Sequence, residues 1–131
     1  MKKMETIEIK AKNDLFELEM SPNNWKIVRE KNYTPVEMLV SAIATCGGYV
    51  YQDVLRNSKI GFTFDRIEVS YSRNEAIESR PLKEVQLLFF VQVLPEFQDR
   101  ARRCLRLVSS HCPVIQSLDK SIEVTEEVVF F

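Results

Sequence analysis

The sequence predicts an α+β fold, with helices packed on antiparallel sheet. Two observations carry that expectation. Apolar and polar residues alternate over the first stretch of the chain and again beyond Phe62, whereas between Thr34 and Asn57, and from Pro95 to His111, apolar residues recur at helical spacing. The resulting order is strands, a long helix, two strands, a C-terminal helix pair and a last strand.

Each element has its own local warrant. "TIEIKAK" sets Ile7, Ile9 and Ala11 on one side of a strand and "LFELEM" does the same with Phe16, Leu18 and Met20, so the intervening "KND" closes a hairpin. "SPNN" turns the chain, and "WKIVRE" supplies a third short strand. At "TPVEMLVSAIATCGGYVYQDVLRN" a helix begins, with Thr34 as N-cap, Pro35 at the first helical position and Glu37 completing a T-x-x-E capping box. Its apolar stripe reads Met38, Leu39, Ala42, Ile43, Cys46, Val50, Val54 and Leu55. Unbroken to Asn57, this helix is about 35 Å long. Gly47 and Gly48 each cost about 1 kcal/mol inside a helix relative to alanine, which predicts that something approaches closely there.

In "FTFDRIEVSYSR" the alternation changes phase between Phe64 and Ile67, the mark of a bulged strand. "LKEVQLLFFVQV" places Val85, Leu87, Phe89, Val91 and Val93 on one face and Leu88 and Phe90 on the other, so it belongs in the interior of a sheet. "PEFQDRARRCLRLVSSH" carries Phe97, Ala101, Cys104, Leu105 and Val108 on one helical stripe; Pro113 opens a short helix, "PVIQSL". "SIEVTEEVVFF" ends the chain as a strand with Ile122, Val124 and Val128 in phase.

A chain of 131 residues fits one domain, residues 1–131, large enough to sustain a core without metals or disulfides. A net charge of −1 gives no electrostatic footprint for nucleic acid or an anionic membrane. No apolar run reaches signal-peptide or membrane-span length, and three cysteines suit free or redox-active thiols in a reducing compartment, so a cytoplasmic protein is expected. The sequence holds no CxxC pair, G-x-G-x-x-G, P-loop or G-x-S-x-G, and neither metal nor cofactor is expected.

The three thiols differ in context. Cys104 sits on the core stripe of its helix, where free cysteine packs as a small hydrophobe. Cys112 directly precedes Pro113 and so falls at a helix N-cap, where unpaired amides and the dipole lower a thiol pKa; it either reacts there or merely caps. Cys46 lies mid-helix among Ser41, Ala42, Ala44, Thr45, Gly47 and Gly48, small residues that leave space around the sulfur. His111 reads as a surface or loop-packing histidine. Glu37 is either a cap or a carboxylate with chemical duty.

Taken together, "TPVEMLVSAIATCGGYVYQDVL", with its P-x-E-x-L-x-x-A-x-x-x-C pattern, and "SSHCPVIQSL", with C-P-V-x-x-x-L, resemble the two motifs of the OsmC/Ohr superfamily of osmotically inducible and organic-hydroperoxide-resistance proteins. "VSYSRNEAIESRPLKEVQLLFFV" between them resembles its central hairpin, and the similarity spans about residues 34 to 131. The resemblance implies an OsmC-like fold in an intertwined homodimer whose long helices pack centrally, accounting for the paired glycines. It also implies a thiol-dependent peroxidase of organic hydroperoxides, with Cys46 as peroxidatic and Cys112 as resolving thiol, a disulfide between them, and a dithiol reductant. Family peroxidases hold the reactive thiolate with an arginine from the N-terminal strands and place a glutamate directly after the proline. Here Val36 takes that place and no arginine precedes Arg29, so Glu37 and Arg29 are the candidate activating carboxylate and thiolate partner. This arrangement resembles the OsmC-like branch more than a true Ohr, and the alternative it leaves is a non-catalytic dimer binding a small apolar ligand at the interface.

Overall fold

The structure, a computed structural model, describes residues 4–12, 15–18 and 34–131. Among these, five strands form one sheet: β1 (Glu5–Lys12), β2 (Leu15–Leu18), β3 (Thr63–Arg73), β4 (Leu82–Gln92) and β5 (Glu123–Phe130), in the order β2-β1-β3-β4-β5. The expected hairpin is present, β1 pairing antiparallel with β2. The expected strand "WKIVRE" lies outside the described residues.

Alternation decides which face of the sheet is apolar. Pairing aligns Ile9, Ile67, Phe89 and Val128 in one row across four strands, and Ile7, Val69 and Leu87 in the next. All seven side chains are buried, each contributing about 1.5–3 kcal/mol by its removal from water. In β3 the pairing slips between Phe64 and Arg66, so the bulge lets Phe64 and Ile67 both face inward despite their odd spacing. Tyr51 of the long helix stacks on Phe89, ring centroids 5.3 Å apart, and Phe64 meets the same ring edge-on at 5.7 Å.

The sheet departs from expectation at one edge: β5 runs parallel to β4. The connection between them is helical and carries the chain back along the sheet, so the next strand starts at the same end as the last. That connection is more broken than its apolar spacing predicts. A 3₁₀ turn at Pro95–Phe97 leads into α2 (Gln98–Arg103), a second 3₁₀ turn at Cys104–Leu107, then α3 (Val108–His111) and α4 (Pro113–Gln116). The breaks leave the core stripe in place, with Ala101 and Val108 fully buried and Cys104 and Leu105 packed at its margin.

The long helix α1 spans Pro35–Asn57 without interruption. Its N-terminal capping box forms as the sequence dictates, Thr34 Oγ1 accepting from the Glu37 amide at 3.2 Å and Glu37 Oε1 accepting from the Thr34 amide at 2.8 Å. At the other end Lys59 adopts a left-handed φ of 61°, while the Lys59 and Ile60 amides donate back to the Arg56 and Leu55 carbonyls. This is a Schellman stop, sealed by the buried Leu55 and Ile60.

The face of α1 that packs on the sheet is rotated from the expected stripe. Val40, Ile43, Ala44, Gly47, Tyr51 and Leu55 are buried, whereas Leu39 remains 42% and Tyr49 37% exposed, with Ala42 exposed and Cys46 and Val50 half-buried. The helix is apolar on two faces and the sheet covers only one of them.

Candidate functional site: two thiols in contact

Gly47 explains why this part of α1 meets its neighbours so closely. A Cβ placed there would stand 3.0 Å from Leu87 Cδ1 and 3.7 Å from both Phe89 Cζ and Val108 Cγ1. At Gly47 the expected close approach is made by the Leu87 side chain of β4. Val108 opens α3, and one turn later the chain reaches Cys112. In this way α3 carries Cys112 to the neighbour of Gly47, Cys46.

The two thiols are neighbours. Cys112 is fully buried, Cys46 is half-buried, both are free thiols, and their side chains are close enough to influence each other's ionisation. Cys112 is the joint between α3 and α4, its own backbone extended at φ −90° and ψ 111°. It stands at the N-cap that Pro113 predicts, but the expected fall in its pKa does not occur. Burial pushes the Cys112 thiol up to about 11, and the neighbouring Cys46 side chain adds to the rise. The Ile115 and Val114 amides pull the other way, in contacts short of a full capping hydrogen bond. A helix of a single turn supplies too little of a dipole to outweigh complete desolvation. Cys112 therefore keeps its proton at neutral pH.

Among the described residues, the other candidates do not gather around this pair. Glu37 is spent on the capping box, and at nine residues before Cys46 it stands about 13 Å away along the helix. Arg29 lies outside the described residues. His111 is exposed, its Nδ1 2.9 Å from the Leu107 carbonyl and 3.0 Å from Ser110 Oγ, in the loop-packing role its sequence implies. Cys104 is half-buried beside the C-terminal end of α1, with Ser58 Oγ 3.6 Å from its sulfur.

Around Cys112 the structure adds three residues that the sequence reading overlooked. The Ser109 hydroxyl donates to Glu126 Oε1 on β5, and Gln116 Nε2 donates to the Ser109 carbonyl at 2.8 Å, reaching over Cys112. The Gln116 amide donates to the Cys112 carbonyl at 2.9 Å. Glu126 pairs with Leu87 in the sheet and so extends the row of Ile7, Val69 and Leu87. Burial raises its carboxyl pKa more than the Ser109 hydrogen bond lowers it. A signal for it was present in "EVTEEVVF": Glu126 falls between Val124 and Val128, on the inward phase of the strand, where a carboxylate is out of place.

The chemistry available to such a pair of neighbouring free thiols is that of a dithiol, whose closure would bring the sulfurs to about 2.05 Å. Among the described residues no cluster of His, Cys, Asp or Glu could hold a metal ion, and no helix is long and apolar enough to cross a membrane.

Comparison with known proteins supplies the context. An OsmC-like protein of Mycoplasma pneumoniae has a similar structure (TM-score 0.66) at 15% identity, over 98% of this chain and 96% of that one. The organic hydroperoxide resistance protein OhrB of Bacillus subtilis superposes with a TM-score of 0.53 at 15% identity, over 98% of each chain. An organic hydroperoxide resistance protein OsmC of Legionella pneumophila gives 0.55 at 15% identity, over 95% of this chain and 96% of that one. At such identities the likeness establishes the fold. No curated protein matches the chain. The sequence pattern of the OsmC-like proteins, however, matches residues 29–127, and with both its cysteine motifs on the matched segment, the chain belongs to the OsmC-like protein family.

Proposed function

We propose that this protein is a thiol-dependent peroxidase that reduces organic hydroperoxides, with Cys46 as the peroxidatic and Cys112 as the resolving thiol. The observation that carries the reading is that the two thiols, from segments far apart in sequence, lie close enough to influence each other, Cys112 at the joint beside α1. In the first step the Cys46 sulfur attacks the distal peroxide oxygen and the O–O bond breaks. The alkoxide departs as alcohol with the thiol proton, so Cys46 is oxidised by two electrons to a sulfenic acid and the peroxide is reduced by two. In the second, the Cys112 sulfur attacks the sulfenic sulfur. An S–S bond forms, the S–O bond breaks, and hydroxide leaves as water with the Cys112 proton. A dithiol reductant then exchanges with the disulfide, returning both thiols and leaving as its own disulfide.

The division of labour follows from the environments. Cys112 holds its proton at neutral pH and is sealed from solvent, a poor first nucleophile but one already placed to intercept its neighbour. Cys46 is partly open on the outward side of α1. That side, with Leu39, Ala42, Tyr49 and Val50, is the surface on which a second copy of the chain would pack its own long helix, and an apolar rim of this kind favours alkyl over hydrogen peroxide.

Reduced protein incubated with cumene hydroperoxide and a dithiol is expected to consume peroxide, with Cys46→Ser lowering the rate at least 100-fold and Cys112→Ser permitting one turnover before stalling. Equal, background-level consumption by wild type and Cys46→Ser would reject the proposal in favour of a non-catalytic dimer that binds an apolar ligand on the same face.

A further inference from the structure

Cys112 is held at a joint that has little stiffness of its own. It separates two four-residue helices, α3 and α4, neither long enough to be stable alone. Three hydrogen bonds hold the joint: Ser109 Oγ to Glu126 Oε1 on β5, Gln116 Nε2 to the Ser109 carbonyl at 2.8 Å, and the Gln116 amide to the Cys112 carbonyl at 2.9 Å. The first ties the turn before the cysteine to the sheet, the second ties the turn after it to the turn before, and the third is the first backbone bond of α4.

The anchor on the sheet is chemically costly. Glu126 occupies the inward row of Ile7, Val69 and Leu87, between the apolar Val124 and Val128, where burial works against its charge. A leucine there would pack at no such cost, but it could not accept from Ser109. From this geometry we infer that Ser109, Glu126 and Gln116 form a clamp that positions Cys112 for attack on the oxidised Cys46 sulfur. They are positioning residues, and none of them touches the reacting atoms. The inference deepens the peroxidase reading and rests on it for the physiological oxidant, but the closure step itself is general: the Cys112 sulfur displaces a leaving group from an activated Cys46 sulfur.

The test measures that closure with two oxidants, on the full chain. Reduced protein is mixed with several equivalents of cumene hydroperoxide, enough to over-oxidise a lingering sulfenic acid, or with one equivalent of diamide, quenched by acid and alkylation, and resolved by mass spectrometry into thiol, Cys46 adduct or sulfenic acid, sulfinic acid and Cys46–Cys112 disulfide. With diamide, Cys46 adds across the N=N bond and Cys112 then displaces the hydrazine, so no peroxide is needed. Ser109→Ala and Gln116→Ala are expected to slow closure at least tenfold with either oxidant. With peroxide the sulfinic acid should rise, while the first oxidation of Cys46 changes less than twofold. Ser109→Thr and Glu126→Gln, which keep donor and acceptor, should close within about threefold of wild type, a rescue that a merely structural role does not predict. Closure in folded Ser109→Ala and Gln116→Ala within twofold of wild type would overturn the clamp, as would failure of wild type to form the disulfide with either oxidant. Wild type that closes with diamide but is inert to peroxide would remove the peroxidase reading and leave the clamp to be judged on the diamide series.

Discussion

Cys46 and Cys112 are neighbours, yet the segments that deliver them are built in opposite ways. Cys46 rides on a 23-residue helix, capped at both ends and laid on the sheet through Val40, Ala44, Gly47, Tyr51 and Leu55. Cys112 sits between two single turns of helix held by a few side-chain hydrogen bonds. The first is a platform whose position is fixed by the core, the second a joint whose position is adjustable. A disulfide-forming pair benefits from this asymmetry, because closing the S–S bond requires one partner to move by an ångström or more, and moving the platform would disturb the whole core.

The sharpest way to break the comparison is to enlarge the platform where it is tightest. Gly47→Val would drive methyl groups into Leu87, Phe89 and Val108, and an expected loss of about 2–3 kcal/mol should appear as a lower urea midpoint. Gly47→Ala is the control: one methyl group gains about 1 kcal/mol of helix propensity and meets only the end of the Leu87 side chain, so stability should change by less than about 1 kcal/mol either way.

A second test concerns the proton on Cys112. Its pKa in the folded chain, about 11, exceeds the ordinary thiol value, so the folded state binds the extra proton and its stabilisation is complete below that ordinary value. As pH rises from about 8.5 towards and through the folded pKa, stability should fall, and fall less in Cys112→Ala, which melting temperatures across that range would show. Equal slopes would mean that the thiol is no harder to ionise folded than unfolded.

Smaller effects compare the ends of the two segments. Thr34→Ala removes one half of the capping box and should cost about 1 kcal/mol, read by chemical denaturation, with faster amide exchange confined to the first turn of α1. Pro113→Ala frees the joint in the unfolded chain and should cost about 0.5 kcal/mol. A larger loss from Pro113 than from Thr34 would reverse the assignment of platform and joint.

Much of this architecture is legible in the residues. The Thr34–Pro35–Glu37 start of α1, the phase change that marks the β3 bulge, and the alternation that buries Val85, Leu87, Phe89 and Val91 are local patterns governed by neighbours in sequence, and each appears where it was expected. The motif pair also marks the two cysteines that meet. Which apolar face of α1 meets the sheet was not legible, because both faces are apolar and only packing around Gly47 selects one. The parallel placement of β5 was equally hidden, since alternation defines a strand but not its direction.

What the sequence determined alone is therefore short-range: where elements begin and end, which residues alternate, and which thiol stands before a proline. Tertiary structure decided the rest. It buried Cys112 so completely that desolvation overrode the helix end that its position promised, and it tied Ser109 to Glu126 across the sheet edge. The reason is physical: caps and alternation depend on a few bonded neighbours, whereas desolvation and hydrogen bonds between distant segments depend on everything the fold places around an atom.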